Sequence, residues 1–516
     1  TQKFKINHNI YGGGNVASVI GEKDADGNLV AGSGNTYLYM SRGLLYKTTQ
    51  VLSGETQTDF FSTDEWKEVY NKVGSPHFCV FGGGYGENTV ILGDTHLNIE
   101  MSERGSIHDK DFDIKEGEAY KHFVSGYSVM DFVGGGFSGK VEGDTHISGR
   151  GGGFCRRVFG GGFYNSVKNT HVDIKAIDCT DVFGGGLMGD VLENTNIAIG
   201  TDNNADNTPF TNADIYIHGD VYGGNDVSGY VNVGLDKRGY FADNGGDGTH
   251  INIYGGHVYG NVYGAGNGDY LYALDRKGNT QVTVNEDYPL NPDDPDTETL
   301  PLVYTVPMRS TMPSYKAASD ATKIVNINSW RPLTNKATIQ IKGSSDSKTL
   351  IDGAVYGGGN SATIMKVQSN KAKANVMDGY VKLDIGSHVK IGQVFMGSNG
   401  DALFTASEDN DFMNRFQKLN ADVYDSSKEL DLSDTIDWTK DPSNMGISTL
   451  YLSTKPEDRA TIYPHLIDLY FQPVETDIQG TLTWNGSETG ANGLEDCVIG
   501  SFCCGGYRSN MNVYPK

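Results

Sequence analysis

The chain has 516 residues, and its 41 Lys and Arg against 65 Asp and Glu give a formal net charge of −24. So acidic a surface repels nucleic acid and anionic membranes, and no basic stripe offsets it, so nucleic-acid binding is not expected. No run of about 18 apolar residues occurs, so no transmembrane helix is predicted. Glycine is frequent, at 69 residues against an average usage of about 7%.

Much of the glycine lies in one recurring phrase, in which Val and an aromatic residue precede three glycines. Copies begin at Ile10, Val80, Phe132, Val158, Val182 and Val355, and degenerate copies begin at Val221, Val262, Val394 and Phe502. A second landmark is a threonine at the start of an alternating segment, and Thr145, Thr170 and Thr195 follow one another at intervals of 25 residues. Two landmarks with one period indicate a repeat architecture.

Each period contains short segments with strand character. Residues 170–174 and 195–199 alternate apolar and polar side chains, which is typical of a strand with one buried face. A period of about 25 residues is too short for a propeller blade and has no helix for a leucine-rich repeat. We therefore predict an all-β chain, a parallel β-helix (β-solenoid) whose coils stack about 4.8 Å apart. The glycine triplets would serve either a corner with positive φ or the close approach of a backbone or a ligand.

The repeats are interrupted, which predicts alternating solenoid and inserted segments. The predicted segments are solenoid coils over 1–268 with an insertion near 32–73, a loop or hairpin insertion over 269–336, coils over 337–404, a partly helical insertion over 405–475, and terminal coils over 476–516. A capping box at residues 62–65 predicts a helix in the first insertion, and residues 407–420 suggest another. Insertions into solenoids often lie on one side and carry the function.

Two of the six cysteines occupy the same place in consecutive repeats. Cys155 and Cys179 each lie four residues before the aromatic residue of the phrase, so stacking would bring their Cα atoms to about 4.8 Å, within disulfide range. A Cys155–Cys179 disulfide and a ladder of buried thiols both fit this position. Cys497 with Cys503 or Cys504 is a weaker candidate pair. No CxxC pair typical of a zinc site occurs.

Histidines recur directly after the repeated threonine. The position holds His96, His146, His171 and His250, with Asn196 between the last two. If neighbouring coils place His146 and His171 side by side, the two could share a metal ion. The alternative is an exposed position that tolerates any polar residue, as Asn196 indicates. We identify no carboxylate at matched spacing that would complete a metal site.

Other motifs give no cofactor prediction. Residues 24–28 resemble the start of a calcium loop, but no Glu follows at position 12, so a hairpin turn is the favoured interpretation. The glycine triplets lack the Lys-Ser/Thr ending of a phosphate loop, and residues 264–268 lack the strand–turn–helix context of a dinucleotide site. We therefore predict no bound cofactor.

Some charged and aromatic residues are candidates for a carbohydrate site. The charged candidates are Asp173, Asp178, Asp181, Arg150, Arg156 and Arg157. A glycosidase needs two carboxylates that flank the sugar, but charges on the outer face of a coil are usually just solvated, so we assign no catalytic residue. Trp66, Trp330 and Trp438 lie in or beside the insertions and are candidate binding residues, or they pack the insertions onto the solenoid.

The full repeat, Val-Phe/Tyr-Gly-Gly-Gly followed by a lone Val and Thr-x-Ile-x-Ile, resembles the repeats of glycine-rich exported proteins of gut-type Gram-negative bacteria, which are similar to β-helical adhesin-like surface proteins. The resemblance covers residues of about 8–30, 78–268, 337–404 and 481–516. It implies an extracellular or outer-surface location and no shared catalytic motif. The start at Thr1 is what we expect of a mature exported chain whose targeting segment has been removed.

Two functional hypotheses follow. The first is a non-enzymatic, adhesin-like or scaffold protein whose insertions bind a glycan or a protein partner. The second is a polysaccharide-active enzyme, a lyase or a glycoside hydrolase, built on a β-helix. Because the last residues offer little to cap a terminal coil, we also expect further repeats or a partner at the C-terminal end.

Overall fold

The computed structural model describes the repeats and part of the segments between them. The described residues are 9–40, 79–100, 129–201, 215–235, 241–270, 272–274, 280–289, 299–305, 313–317, 320–326, 331–344, 347–364, 367–368, 377–399, 475–478, 481–484, 497–503, 507 and 510–513. Over these ranges all regular secondary structure is β-strand. Accordingly, no helix in them has the length and apolar character needed to cross a membrane.

The first part of the chain contributes ten strands. They are β1 (Ile10–Tyr11), β2 (Thr36–Met40), β3 (Val80–Phe81), β4 (Val90–Ile91), β5 (Thr95–Ile99), β6 (Val129–Val133), β7 (Lys140–Val141), β8 (Thr145–Phe159), β9 (Thr170–Phe183) and β10 (Asn194–Ile199). The short strands such as β3 carry the Val-aromatic pair of the phrase, and strands such as β5 begin at the repeated threonine.

The middle of the chain continues the same series and adds hairpins. Its strands are β11 (Ile215–Ile217), β12 (Val221–Tyr222), β13 (Tyr230–Val231), β14 (Val233–Leu235), β15 (Phe241–Asp243), β16 (Gly248–Ile253), β17 (Gly256–Val258), β18 (Val262–Tyr263), β19 (Tyr272–Leu274), β20 (Thr280–Pro289), β21 (Thr299–Thr305), β22 (Pro313–Ala317), β23 (Asp320–Asn326), β24 (Leu333–Thr334) and β25 (Lys336–Ile341). Strands β19, β20 and β21 form one antiparallel sheet and β22 and β23 form another, so antiparallel pairs lie within the range predicted as a loop or hairpin insertion.

The last part returns to the repeat pattern. Its strands are β26 (Thr349–Tyr356), β27 (Thr363–Ile364), β28 (Val367–Gln368), β29 (Met377–Asp378), β30 (Tyr380–Ile385), β31 (Val389–Phe395), β32 (Glu475–Ile478), β33 (Thr481–Trp484), β34 (Cys497–Cys503) and β35 (Asn510–Val513). Strands β33 and β34 pair with β30 and β31, so the sheet resumes after residues 400–474, which lie outside the described ranges.

Over the described residues the fold is all-β and is dominated by one 19-stranded parallel sheet. Within it the equivalent residues of successive repeats are direct partners. Thr145 pairs with Thr170, which pairs with Thr195, which pairs with Thr249. The same sheet includes Thr36–Met40 beside Thr95–Ile99, so these five residues, which fall in the predicted insertion near 32–73, are part of the parallel sheet. Their Thr-x-Leu-x-Met alternation follows the repeat.

The core of the sheet is built from stacked equivalent side chains. The apolar residues of the threonine strands, such as Leu97, Ile147 and Val172, have at most 2% of their surface exposed. The aromatic residues of the phrase also stack from repeat to repeat. The rings of this aromatic ladder, whose centroids lie 4.7–4.9 Å apart, belong to Phe159, Phe183, Tyr222, Tyr263, Tyr356 and Phe395. This spacing is the distance between neighbouring strands of a sheet.

The glycine triplets allow neighbouring repeats to approach closely, and none of those in the described ranges has a positive φ. A Cβ placed on Gly160 would lie 2.2 Å from the carbonyl oxygen of Gly184, and one on Gly161 would lie 2.7 Å from the amide nitrogen of Gly186. Any side chain at these positions would therefore overlap the next backbone. Of the two predicted reasons for the triplets, backbone approach is the one the structure supports.

The threonines and the glycines are linked by hydrogen bonds. The hydroxyl of Thr145 donates to the carbonyl of Gly160, and that of Thr170 donates to Gly184, each at 2.6 Å. The same bond recurs at 2.5–2.7 Å from Thr36, Thr95, Thr195 and Thr249. Each hydroxyl ties the start of one strand to the first glycine of the following phrase, which explains why the two landmarks share one period.

Candidate functional site

The residues after the repeated threonines form a column of stacked rings on the solvent side of the sheet. His96, His146 and His171 are direct neighbours in adjacent strands. Their ring centroids lie 4.7 Å apart in both steps, with interplanar angles of 5° and 6°. Tyr37 stacks on the outer face of His96 at 4.6 Å. We call the three histidines, together with Asp94 and Asp144, the His/Asp column.

Two aspartates complete this column because each directly precedes a repeated threonine. One ligand atom from each of Asp94, His96 and His146 lies within 4.8 Å of the others, and the same holds for Asp144, His146 and His171. His171 Nε2 lies 3.7 Å from Asp144 Oδ2. The structure therefore places His146 and His171, the predicted metal ligands, side by side and adds a carboxylate to them.

Backbone and amide groups hold the aspartates in place. Asp94 Oδ1 accepts a hydrogen bond from the amide of Asp144 at 2.8 Å. Asp144 Oδ1 accepts one from Asn169 Nδ2 at 2.9 Å. Asn169 and Asn194 continue this pattern in the next repeats, since the amide of Asn194 donates to Asn169 Oδ1. The carboxylates are thus oriented by hydrogen bonds from the following repeat.

The pKa values of Asp144 and His146 are both lowered in the column. The imidazole of His171, together with the hydrogen bond from Asn169, outweighs partial burial and lowers the pKa of Asp144 to about 2. Burial, with His171 and His96 on either side, lowers the pKa of His146 below its usual value. The column therefore holds an ionised carboxylate beside a neutral imidazole near neutral pH, the protonation states in which both side chains act as metal ligands.

The expectation that no carboxylate stands at matched spacing was wrong. Asp94 and Asp144 belong to two copies of the tripeptide Asp-Thr-His, at residues 94–96 and 144–146. The sequence signal was therefore present on the other side of the threonine. Alternate residues of a strand point to opposite faces. The aspartate and the histidine that flank the buried threonine therefore share the outer face.

Cys155 and Cys179 are direct partners in the sheet, as their matched positions predict. Both are fully buried, and the structure holds both as thiols. This arrangement corresponds to the thiol-ladder alternative, and the Cys155–Cys179 disulfide stays a prediction.

A buried charge network lies on the position before the phrase. Asp131, fully buried, accepts hydrogen bonds from Arg156 and from Arg157, with the closest contacts at 2.9 Å. Arg157 also lies 3.5 Å from buried Asp226 and over the ring of Phe159. Burial alone would raise the pKa of Asp131, but the two arginines outweigh it and lower the pKa to about 2.

This network differs from the expectation that the arginines are solvated charges on an outer face. The side chains of Arg156 and Arg157 are 11% and 7% exposed, and both bind a carboxylate of the preceding repeat. Only Arg150, which faces Asp173 at 3.9 Å, matches the solvated interpretation. Asp131 was missed because it is the residue directly before the Phe-Val variant of the phrase, where the pattern of the other copies is broken.

Two further aspartates occupy the same position in the following repeats. Asp181 Oδ1 accepts a hydrogen bond from the amide of Asp220 at 2.8 Å, and Asp220 Oδ2 accepts one from the hydroxyl of Tyr222 at 2.8 Å. Burial and the nearby Asp220 carboxylate raise the pKa of Asp181 to about 7. Burial also raises the pKa of Asp220. Two carboxyl groups with shifted pKa values could act as an acid and a base. Both, however, already accept hydrogen bonds, from the amide of Asp220 and from the hydroxyl of Tyr222.

The remaining candidates divide between a turn and undescribed segments. Asp24 Oδ1 accepts hydrogen bonds from the amides of Asp26 and Asn28, and residues 23 and 29 form an antiparallel bridge, so this segment is a hairpin turn. The helices predicted at 62–69 and 407–420 lie outside the described residues. The same is true of the candidate binding residues, Trp66, Trp330 and Trp438.

Comparison with protein families, with curated proteins and with solved structures found no match to this chain.

Proposed function

We propose that the chain is a parallel β-helix that serves as a non-enzymatic, adhesin-like scaffold at the outer cell surface or outside the cell. Its insertions would bind a glycan or a protein partner. The observation that carries the proposal is the parallel register, which runs from the strand at Thr36–Met40 to that at Cys497–Cys503. Repeats that contact only their neighbours build long, rigid supports for binding segments.

The β-helix itself is favoured by how the landmarks connect. In such a fold every strand of a coil pairs in parallel with the same strand of the next coil. Here the threonine strands pair with one another, and the Val-aromatic strands pair with one another. The threonine hydroxyl then links the two series through the first glycine of the phrase. The resemblance to glycine-rich exported proteins of gut-type Gram-negative bacteria points to the same architecture.

A non-enzymatic role is favoured by the state of the charged side chains. The candidate arginines at 156 and 157 are bound to buried Asp131, and Asp181 and Asp220 accept hydrogen bonds within the ladder. A glycosidase instead needs two carboxyl groups, about 5–10 Å apart, that face a sugar in an open cleft. The charge networks of the repeats are better suited to holding the repeats together.

A role for the insertions is favoured by their position. The parallel pairing resumes beyond them, as the pairing of Tyr380–Ile385 with Thr481–Trp484 shows on the two sides of the largest insertion. Three of the four tryptophans fall in or beside these segments. Tryptophan offers a large apolar surface with one hydrogen-bond donor, which suits the binding of sugars and of proteins.

The test is a glycan array combined with pull-down from host-cell surface extract, run on the full chain and on single variants Trp66→Ala, Trp330→Ala and Trp438→Ala. We expect binding, and at least one variant should bind about tenfold more weakly or worse, as truncation of an aromatic anchor usually does. Tyr39→Ala is the matched control, because Tyr39 is an exposed aromatic residue on a strand of the sheet.

The same preparations are assayed for release of reducing ends and of unsaturated sugars from a polysaccharide panel. Turnover of any polysaccharide would overturn the non-enzymatic assignment. Binding that is lost in Tyr39→Ala but retained in all three tryptophan variants would move the binding surface from the insertions to the sheet.

A further inference from the structure

We propose that the His/Asp column binds one divalent transition-metal ion, with Zn²⁺ as the preferred class. This inference goes beyond the scaffold function, because it concerns the repeats and not the insertions. The ligands would be the imidazoles of His146 and His171 and the carboxylate of Asp144. Asp94 and His96 provide a second, overlapping set.

The donor atoms match the ion. Two imidazole nitrogens and one carboxylate oxygen are the ligands that Zn²⁺ takes in three-residue protein sites, with water in the remaining position. Imidazole also suits Cu²⁺ and Ni²⁺, whereas Mg²⁺ and Ca²⁺ prefer sites made of oxygen alone. With a single carboxylate in each set, the column selects the transition metals.

The geometry requires only a small adjustment. At metal–ligand distances of about 2.0–2.1 Å, neighbouring ligand atoms of a tetrahedral site lie roughly 3.3 Å apart. His171 Nε2 and Asp144 Oδ2 lie 3.7 Å apart, and the three ligand atoms of the set are within 4.8 Å of one another. The imidazole rings of His146 and His171 would tilt towards each other out of their parallel stack. Both side chains are half-buried, so they have solvent on one side in which to turn.

The backbone supplies the rigidity that a metal site needs. His146 and His171 sit on paired strands, and the threonine between each aspartate and its histidine is fixed by a hydrogen bond to a glycine carbonyl. Asp144 uses Oδ1 to accept a hydrogen bond from Asn169 and presents Oδ2 to His171. Hydrogen bonds of this kind orient ligating carboxylates and are part of a working site.

The column is limited at both ends, which fixes the stoichiometry. Tyr37 stacks on His96 at one end, and Asn196, whose side chain donates to the carbonyl of Thr170, replaces histidine at the other. The two ligand sets share His146, so they cannot both be filled. We commit to the set with Asp144, because it contains the closest pair of donor atoms, and we expect one ion per chain.

The experiment is isothermal titration of the chelator-stripped, untagged full chain with ZnCl₂, repeated with His146→Asn and His171→Asn. Asparagine occupies the equivalent position in the next repeat, so the folded sheet accepts it. We expect one Zn²⁺ per chain, with affinity reduced more than about tenfold in both variants, since even outer-shell partners cost 10–100-fold. His250→Asn, the same substitution in the same row but beyond Asn196, should leave affinity unchanged.

A second readout separates binding from folding. Co²⁺ bound by this set should give visible absorption bands that disappear in His146→Asn, while circular dichroism confirms that the variant is folded. No binding to the wild type, or binding of equal strength in wild type and His146→Asn, would overturn the proposal. A loss in His250→Asn as large as that in His171→Asn would also overturn it, because the ion would then not depend on the named column.

Discussion

At the scale of single residues, the repeat is governed by what fits between adjacent backbones. The first glycine of the phrase has no side chain, so the carbonyl of the next repeat can approach it closely. The threonine hydroxyl donates a hydrogen bond to that carbonyl. The glycine therefore does not act through flexibility or through a left-handed conformation. Its role is to leave a space that the neighbouring repeat fills.

Gly160→Ala tests this role. The added Cβ would lie 2.2 Å from the carbonyl oxygen of Gly184 and 2.9 Å from the Cβ of Thr170, so one repeat must shift. We expect a loss of about 1–3 kcal/mol in the free energy of unfolding, the usual cost of overpacking, measured by chemical denaturation. Gly149→Ala is the control, because its new Cβ would meet its nearest neighbour at 3.6 Å. Equal destabilisation in both variants would contradict the role of close approach.

At the scale of the strand, the threonine row is an element that crosses the repeats, and it is incomplete. Ala337 and Val381 occupy the threonine position in two consecutive repeats. Around Ala337 the geometry of the complete repeats is kept. A Cβ on Gly264 would lie 2.2 Å from the carbonyl oxygen of Gly357 and 3.1 Å from the Ala337 Cβ, which matches Gly160 with Gly184 and Thr170. The acceptor is thus in place where the donor is missing.

Ala337→Thr should therefore stabilise the chain. The new hydroxyl would reach the carbonyl of Gly357 as its counterparts reach theirs, and a typical hydrogen bond contributes about 1 kcal/mol. Thermal and denaturant unfolding of the variant would measure the gain. Ala337→Val adds the same volume without a donor, and valine is the residue of the following repeat. If Val raises the stability as much as Thr, packing and not the hydrogen bond is responsible.

At the scale of the whole molecule, an acidic chain stacks its repeats so that like residues become neighbours. A charge in one repeat is therefore compensated by a residue of a different repeat, as when Arg157 binds Asp131. Where the next repeats carry Asp181 and Asp220, burial raises the pKa of both carboxyl groups, and at Asp181 it outweighs the nearby Arg157. The free energy of unfolding therefore depends on pH through buried aspartates such as Asp181 and Asp220.

Asp181→Asn should change that dependence. Because the pKa of Asp181 is raised from 3.8 to about 7 in the folded state, the folded chain binds more protons than the unfolded chain between these values. Its contribution is fully present below about pH 4 and is lost as pH rises through about 7.

The measurement is denaturant unfolding of wild type and Asp181→Asn at several pH values. His146 and His250, whose pKa values are lowered mainly by burial, act in the opposite sense below about pH 6.5, so only the difference between the two proteins isolates Asp181. Relative to the variant, the wild type should lose stability between about pH 4 and pH 8, by at most about 4 kcal/mol at about 1.4 kcal/mol per pKa unit. A difference that does not vary with pH would exclude this role for Asp181.

The sequence alone determined the repeat, its period and the all-β, parallel character of the sheet. These follow from spacing and alternation, since a period of 25 residues between threonines and a side-chain period of two act along the chain itself. The same spacing placed Cys155 beside Cys179 and His146 beside His171, because stacking turns equal sequence positions into contacts.

Only the tertiary structure decided which partners meet across repeats that are interrupted or out of phase. Arg157 meets Asp226, which lies 69 positions further along the chain and holds a different place in its repeat, and Asp94 and Asp144 join the histidines because residues on both sides of a buried threonine share one face. It also decided that the glycines serve close approach and that Thr36–Met40 belongs to the sheet. The physical reason is that a period states which residues are equivalent, whereas the distances between side chains of different repeats, and therefore their charges and hydrogen bonds, exist only once the repeats are stacked.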